Sequence, residues 1–398
     1  MQRRTILAWS VLGLASLAVA LTVRAVGVTR AAGERAAGGG AAANDPAQAS
    51  PGWLLGDAIT YENLSVFPVL SKDAADTRGY ETLDEALAAG DAVVTESGAN
   101  SMRRWRDRED GPASDIYVEG AQVNQLVLVY HGKRPLILLA GELLSGGKQD
   151  RIIGKDRIVP VGAQPLPLDV FCVEHGRWSS GDQFSAANII VHPSVREKAA
   201  VDQEQESVWA AVSSGSSAGS GGGVGSGRAE AAPPPAFSPE NVAGAIASRA
   251  PTESYAKIYE SPDSGAPVSA FADEVQQRFA RATANLKDER VIGVVVAYGG
   301  EVAWSDVFAS PELFASYWPK LLRSYVVEAL ARPASQEHAS LDDARQFLEP
   351  LDGHETTESE PGVYRWREVS DARYAEIALD SLQPADLRLH WLKIHRSN

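Results

Sequence analysis

Between Ser213 and Ala236 the chain reads SSGSSAGSGGGVGSGRAEAAPPPA, a run with almost no apolar side chain to bury. Such a segment cannot offset the entropy lost on ordering, so it is expected to be a disordered insertion over 213–238. It divides the foldable sequence into 53–212 and 239–398. At 398 residues with 44% apolar content, there is material for two or three packed units, since domains typically run about 100 to 200 residues.

Met1 to Val23 carries Arg3 and Arg4 ahead of an uninterrupted weakly polar stretch beginning at Ile6. Its length is where a signal-peptide core and a membrane helix overlap. Ala18-Val-Ala20 offers a small-residue cleavage site, whereas the run on to Val23 favours an uncleaved anchor. Both readings imply export to a periplasmic or other extracytoplasmic space, and 24–52, rich in Ala and Gly, reads as a flexible tether. The formal net charge of −15 argues against a nucleic-acid partner, which needs a basic face.

The 53–212 part contains short apolar runs separated by turn residues. Leu64 to Leu70 reads as a strand, with Pro68 pointing to a sheet edge. Thr82-Leu-Asp-Glu85 has capping-box spacing and Gly90 is placed to end the helix. Ala92 to Glu96 is a further strand. Gln125 to Tyr130 and Leu136 to Leu139 flank His131-Gly-Lys-Arg-Pro135 as a hairpin, and Arg151 to Val161 and Pro167 to Glu174 add strands. These spacings predict a β-rich, sandwich-like domain. After His192-Pro193-Ser194, Val195 to Val212 has helical character.

The 239–398 part alternates helix and strand, which makes the whole chain α+β with a mixed α/β C-terminal portion. Phe271 to Leu286 has helical spacing, and Val291 to Tyr298 is a β-branched strand turning at Gly299-Gly300 into Glu301 to Trp304. Ser310-Pro311-Glu312 is a helix start, and Trp318-Pro319 is expected to kink or restart that helix. His354 to Gly362 reads as an acidic loop. Val363 to Val369, Tyr374 to Leu379 and Leu387 to Ile394 are strands, the last with Leu387, Leu389 and Trp391 on one face.

The polar chemistry is densest from Leu136 to Trp178. A buried run delivers Glu142, and the Gly146-Gly147 pair allows backbone N–H groups to converge on an anion just before Lys148, Gln149, Asp150 and Arg151. A second run ends in Cys172-Val-Glu174-His175-Gly-Arg177-Trp178. No P-loop is present, because Gly147 occupies the lysine position and Gln149 follows Lys148. The sole cysteine, Cys172, excludes an intrachain disulfide and reads as a small buried apolar side chain, since His175 falls on the opposite strand face. Glu142, Glu174, His175 and His192 lack metal-site spacing, so no metal and no cofactor is assigned. The Arg103, Arg104, Arg106 and Arg108 group around Trp105 reads as a solvated loop balanced by its acidic neighbours.

Gly141-Glu142, Gly147-Lys148-Gln149-Asp150-Arg151, Val159-Pro160 and Cys172-Val-Glu174-His175-Gly-Arg177-Trp178 resemble the ARG and Rhodanese-Phosphatase-superfamily-associated protein (ARPP) family, first type. So do Tyr61-Glu-Asn-Leu-Ser-Val-Phe-Pro, Leu83-Asp-Glu-Ala-Leu, Val294 to Gly300, Ser310-Pro-Glu and Trp318-Pro-Lys-Leu-Leu. The resemblance runs from about Gly52 to Leu330. Asp150 and His175 stand where the family more often has Asn and Gln, and the Gly/Ser insertion is a further departure. The resemblance implies association with ADP-ribosylglycohydrolase-like and phosphatase-like proteins and assigns no reaction.

Two functional readings follow. The first is an exported ligand- or protein-binding module using the 142–178 surface. Lys148, Gln149, Arg151, Arg177 and Trp178 would then contact a small anionic ligand or a protein partner. The alternative is a hydrolase acting on a phosphate- or ADP-ribose-containing compound, with Glu142 or Glu174 as acid or base.

Overall fold

The first part of the chain, up to residue 212, does not close as two packed sheets: six of its strands form a closed barrel. The computed structural model describes residues 52–96, 125–174, 183–214, 255–260 and 264–396. The leader, the tether, the Arg103 to Arg108 group, His175, Arg177, Trp178 and nearly all of the Gly/Ser insertion lie outside these residues.

The chain runs through β1 (Leu54–Leu55), β2 (Ile59–Tyr61), β3 (Leu64–Ser71), β4 (Glu81–Thr82), α1 (Leu83–Ala89) and β5 (Ala92–Glu96). There follow β6 (Gln125–Tyr130), β7 (Leu136–Leu138), β8 (Glu142–Gly146), β9 (Arg151–Ile153), β10 (Arg157–Val159), β11 (Leu166–Cys172) and β12 (Gln183–Ile190). Next come α2 (Pro193–Glu197), a π-helical turn (Lys198–Asp202), α3 (Gln205–Ser214), α4 (Lys257–Glu260) and α5 (Gly265–Thr283). The remainder is β13 (Arg290–Tyr298), β14 (Glu301–Phe308), α6 (Pro311–Ala331), α7 (Leu341–Phe347), β15 (His354–Glu360), β16 (Tyr364–Ser370), β17 (Tyr374–Ser381) and β18 (Leu387–His395).

The barrel order is β11-β6-β5-β12-β8-β9. Alternation along its strands turns Val94, Leu128, Leu144, Ile153, Val170 and Phe184 into one interior cluster. The alternate positions Leu143, Ile152 and Phe171 face outward into the larger core. The expected β6–β7 hairpin is absent: β6 pairs with β5 and β11, whereas β7 pairs with β10 and β4 in a separate three-stranded sheet. The turn residues between them connect two strands that belong to different sheets.

A nine-stranded sheet has the order β1-β3-β13-β14-β18-β17-β16-β15, with β2 also on β3. β3, from the first part of the chain, pairs with β13 from the second, so 53–212 and 239–398 share one sheet. Pro68 is therefore not at an edge. Its carbonyl accepts from Gly56 N–H at 2.8 Å, and the N–H it lacks falls in the gap between β1 and β2, where no ladder bond is lost. β15 is likewise a strand where an acidic loop was expected, paired to β16 along its whole length and exposed as a polar edge. In β18, Leu389 lies in the core on one side of the sheet and Trp391 in the core on the other. A register shift opposite Leu379 and Asp380 inserts the extra residue that separates them.

Local signals behave as expected from their chemistry. Thr82 and Glu85 form a reciprocal capping box on α1, and Ser310 Oγ accepts from Leu313 N–H at the start of α6. Helix α6 continues through Pro319 without interruption. It is buried along nearly its whole length and contacts both β12 and β13, so tertiary packing on two sides supports the helical backbone past the missing N–H.

Gly293 sits opposite Val307 where β13 pairs with β14. A Cβ there would lie 2.4 Å from the Asp306 carbonyl oxygen and 2.7 Å from Val307 Cα, both backbone atoms. Gly293→Ala is expected to cost about 1–3 kcal/mol through forced strand displacement, read from urea unfolding.

Candidate functional site

The inward rows of the barrel change character at one end. Val170 and Ile153 are cross-strand partners in its apolar interior, and the next pair in phase is Cys172 opposite Arg151. On β5, Ala92 and Val94 are followed in the same phase by Glu96.

Arg151 is only 1% exposed. Its Nη1 donates to the Gln149 carbonyl at 2.9 Å and to Gln149 Oε1 at 3.3 Å. Its Nε is buried without a hydrogen-bond partner among the described residues. Burial pushes the Cys172 thiol pKa up, with the Arg151 charge acting in the opposite direction. The Gln205 side chain of α3 holds the Cys172 backbone, accepting from its N–H and donating to its carbonyl, each at 2.8 Å.

The Gly146-Gly147 corner is closed around acceptors of the protein itself. Gly146 N–H donates to Asp150 Oδ1 at 3.0 Å, Gly147 N–H to the Gln183 carbonyl at 2.9 Å, and Lys148 N–H to Glu96 Oε1 at 2.8 Å. Asp150 N–H donates to Glu174 Oε2 at 2.8 Å. The expected anion-holding corner thus holds the carboxylates of Glu96, Asp150 and Glu174. A side chain at Gly146 would meet the Gln183 carbonyl oxygen at 2.6 Å, which explains the glycine there.

Glu142 belongs to a different network. It is buried at the start of β8, accepting from Leu139 N–H at 2.7 Å and from Lys320 Nζ of α6 at 2.6 Å. Lys320 Nζ also reaches Asp84 Oδ2 at 2.5 Å. Burial raises the Glu142 pKa and the Lys320 ammonium pulls it back. For Lys320, burial acts to lower the pKa, but Glu142 and Asp84 more than reverse it and hold the amine protonated. The structure therefore brings Gln149, Arg151 and Glu174 together with Lys148 and Glu96, and places Glu142 with Lys320 and Asp84. Arg177 and Trp178 lie outside the described residues.

Sequence reasoning missed the most deeply buried charge network. Arg196 on α2 donates from Nη1 to Asp306 Oδ1 at 2.8 Å and from Nε to the Ala140 carbonyl at 2.8 Å. His390 stands between two carboxylates, with Nδ1 2.6 Å from Asp156 Oδ2 and Nε2 2.9 Å from Asp306 Oδ1. Trp304 Nε1 donates to Asp306 Oδ2 at 2.7 Å, and the Tyr325 hydroxyl donates to the same oxygen. Burial alone would raise Asp306, but Arg196 and His390 hold it well below the usual carboxylate range. Burial would lower His390, but Asp156 and Asp306 raise it. The readable signal was a charged residue inside an apolar strand or helix, as at Asp306, His390 and Lys320, each of which requires a partner.

Among the described residues, no group of three or more His, Cys, Asp or Glu is placed to hold a metal ion. No helix among them is long and apolar enough to cross a membrane. No curated protein and no solved structure matches the chain significantly. A family model does match, over residues 53–390, which spans both the barrel and the nine-stranded sheet: the chain belongs to the ARPP-1 family, the ARG and Rhodanese-Phosphatase-superfamily-associated Protein domain.

Proposed function

We propose that this chain is an exported binding module, with a small anion engaged at the end of the barrel by Arg151 and with Gln149 and Lys148 beside it. One observation carries the reading. Arg151 is a buried guanidinium with an unused Nε–H donor and no carboxylate within ion-pair distance among the described residues. A buried charge of that kind is costly unless something completes it, and a planar carboxylate or a phosphate oxygen fits the guanidinium fork. Export is part of the same proposal and rests on the apolar leader.

A hydrolase would need Glu142 or Glu174 free to act beside that anion. Glu142 is bonded to Lys320 and Glu174 to the Asp150 amide, so binding is the better supported reading.

The test is thermal unfolding of the full chain with inorganic phosphate, ADP-ribose and small dicarboxylates at matched ionic strength. Ligand at about 100 times Kd adds about 2.7 kcal/mol, enough to raise Tm by about 3–5 °C in a folded chain of this size. The rise should disappear in Arg151→Met, which keeps side-chain length in an apolar setting. Failure of every probe to raise Tm, or an unchanged rise in Arg151→Met, overturns the proposal.

A further inference from the structure

The β13–β14 turn and the C-terminal end of α6 enclose a cleft of about 320 Å³. Asn63, Tyr298, Gly300, Glu301, Arg332 and Glu337 line it. Its volume lies at the small end of the range for small-molecule sites, about 300–1,000 Å³, and its lining is mainly polar.

The walls are fixed by contacts that do not use up the cleft's polar groups. Asn63 Nδ2 donates to the Ala329 carbonyl at 2.9 Å, and Gly299 N–H donates to the Asn63 carbonyl at 2.7 Å, tying the turn to the helix end. Arg332 lies over the Tyr298 ring, 4.5 Å from its centroid, and its Nε donates to Glu328 Oε1 at 2.9 Å. That bond leaves both Nη groups of Arg332 without an acceptor among the described residues. Tyr298 is 5% exposed, and its hydroxyl has no hydrogen-bond partner among the described residues. Burial raises the Tyr298 pKa well above that of a free phenol, so the hydroxyl stays protonated and able to donate. Glu337 reaches over Gly300, and Glu301 lies 2.7 Å from His395 Nδ1.

A guanidinium fork and a phenol donor on one side suit a carboxylate, and the Glu337 and Glu301 carboxylates suit an ammonium. We infer that this cleft is a second ligand site, distinct from the barrel end, that binds a small zwitterion of the α-amino-acid type. Arg332 and Tyr298 take its carboxylate, and Glu337, with Glu301 behind it, takes its amine. The small volume favours a free amino acid over a longer peptide.

The experiment is isothermal titration of the full chain with the common L-α-amino acids, then with N-acetyl and C-amide forms of any that bind. A free amino acid should bind, and each single-charge derivative should lose at least tenfold in affinity. Tyr298→Phe removes only a hydroxyl that has no partner among the described residues, so its unliganded Tm should equal or exceed that of the parent. The same variant should weaken binding about 3- to 10-fold, the worth of one hydrogen bond. Glu337→Gln should weaken the free amino acid while leaving the N-acetyl form unaffected, and Arg151→Met should change nothing. The inference is overturned if no amino acid binds, if the blocked derivatives bind as well as the parent ligand, or if Tyr298→Phe binds with undiminished affinity.

Discussion

Asp306→Asn is expected to destabilise the protein by about 3–5 kcal/mol, because it leaves the Arg196 guanidinium buried without its carboxylate. The substitution preserves side-chain shape, so packing changes little and the loss is electrostatic. Arg196→Met in the same chain should recover part of it by removing the stranded charge. Urea unfolding of the parent, both single variants and the double variant closes the cycle. A double variant no more stable than Asp306→Asn would show that the charge pair is not the source.

The dependence on pH has a definite sign. The folded pKa of Asp306 is depressed below its ordinary 3.8, so its contribution is present above that value and is lost as pH falls through the folded pKa. The folded pKa of His390 is raised above 6.5, so its contribution is present below that value and is lost as pH rises through the folded pKa. The network is therefore worth most between about pH 4 and 6.5. The gap between parent and Asp306→Asn should be widest there.

Lys320→Met should cost a similar amount, about 3–5 kcal/mol near neutral pH, because Lys320 compensates two carboxylates, Glu142 and Asp84, from inside the core. Here the pH effect comes from Glu142. Its folded pKa is already raised by burial, and loss of the Lys320 ammonium raises it further. Below that raised value the folded state takes up a proton and sheds the buried charge. The variant should therefore suffer more at pH 8 than at pH 5, and Lys320→Met combined with Glu142→Gln should flatten the difference. Chemical unfolding at the two pH values reads this directly. Equal losses at both would mean that Glu142 does not carry the unpaired charge.

How much of this was readable in the sequence depended on the range of the interaction. The Thr82–Glu85 capping box, the Ser310 cap and the β-branched run of β13 are local and appeared where their chemistry placed them. Barrel closure was not readable, because an inward–outward alternation is common to sandwiches and barrels and only pairings such as β11 with β9 distinguish them. The 142–178 stretch reads as polar and clustered, yet Glu142, Gln149, Arg151 and Glu174 are buried and divided between two networks. The partner that decides the role of Glu142 is Lys320, 178 positions away, and no spacing rule reaches that far. Long separation likewise hid the pairing of Arg196, Asp306 and His390, although Asp306 and His390 each stand as a polar group among apolar neighbours.

The pairing of β3 with β13 also sets an order of events during synthesis. Leu64 to Ser71 leaves the ribosome long before Arg290 to Tyr298 exists, by on the order of ten seconds or more at typical elongation rates. Through that interval β3 lacks β13 and has only the short β1 and β2 beside it, while every strand of the barrel is complete by Ile190, about 100 residues before β13 begins. The barrel can mature early, whereas the large sheet must wait for the C-terminal portion and close a loop spanning more than half the chain. The nascent chain is thus most prone to aggregation at β3, in the period before its partner arrives.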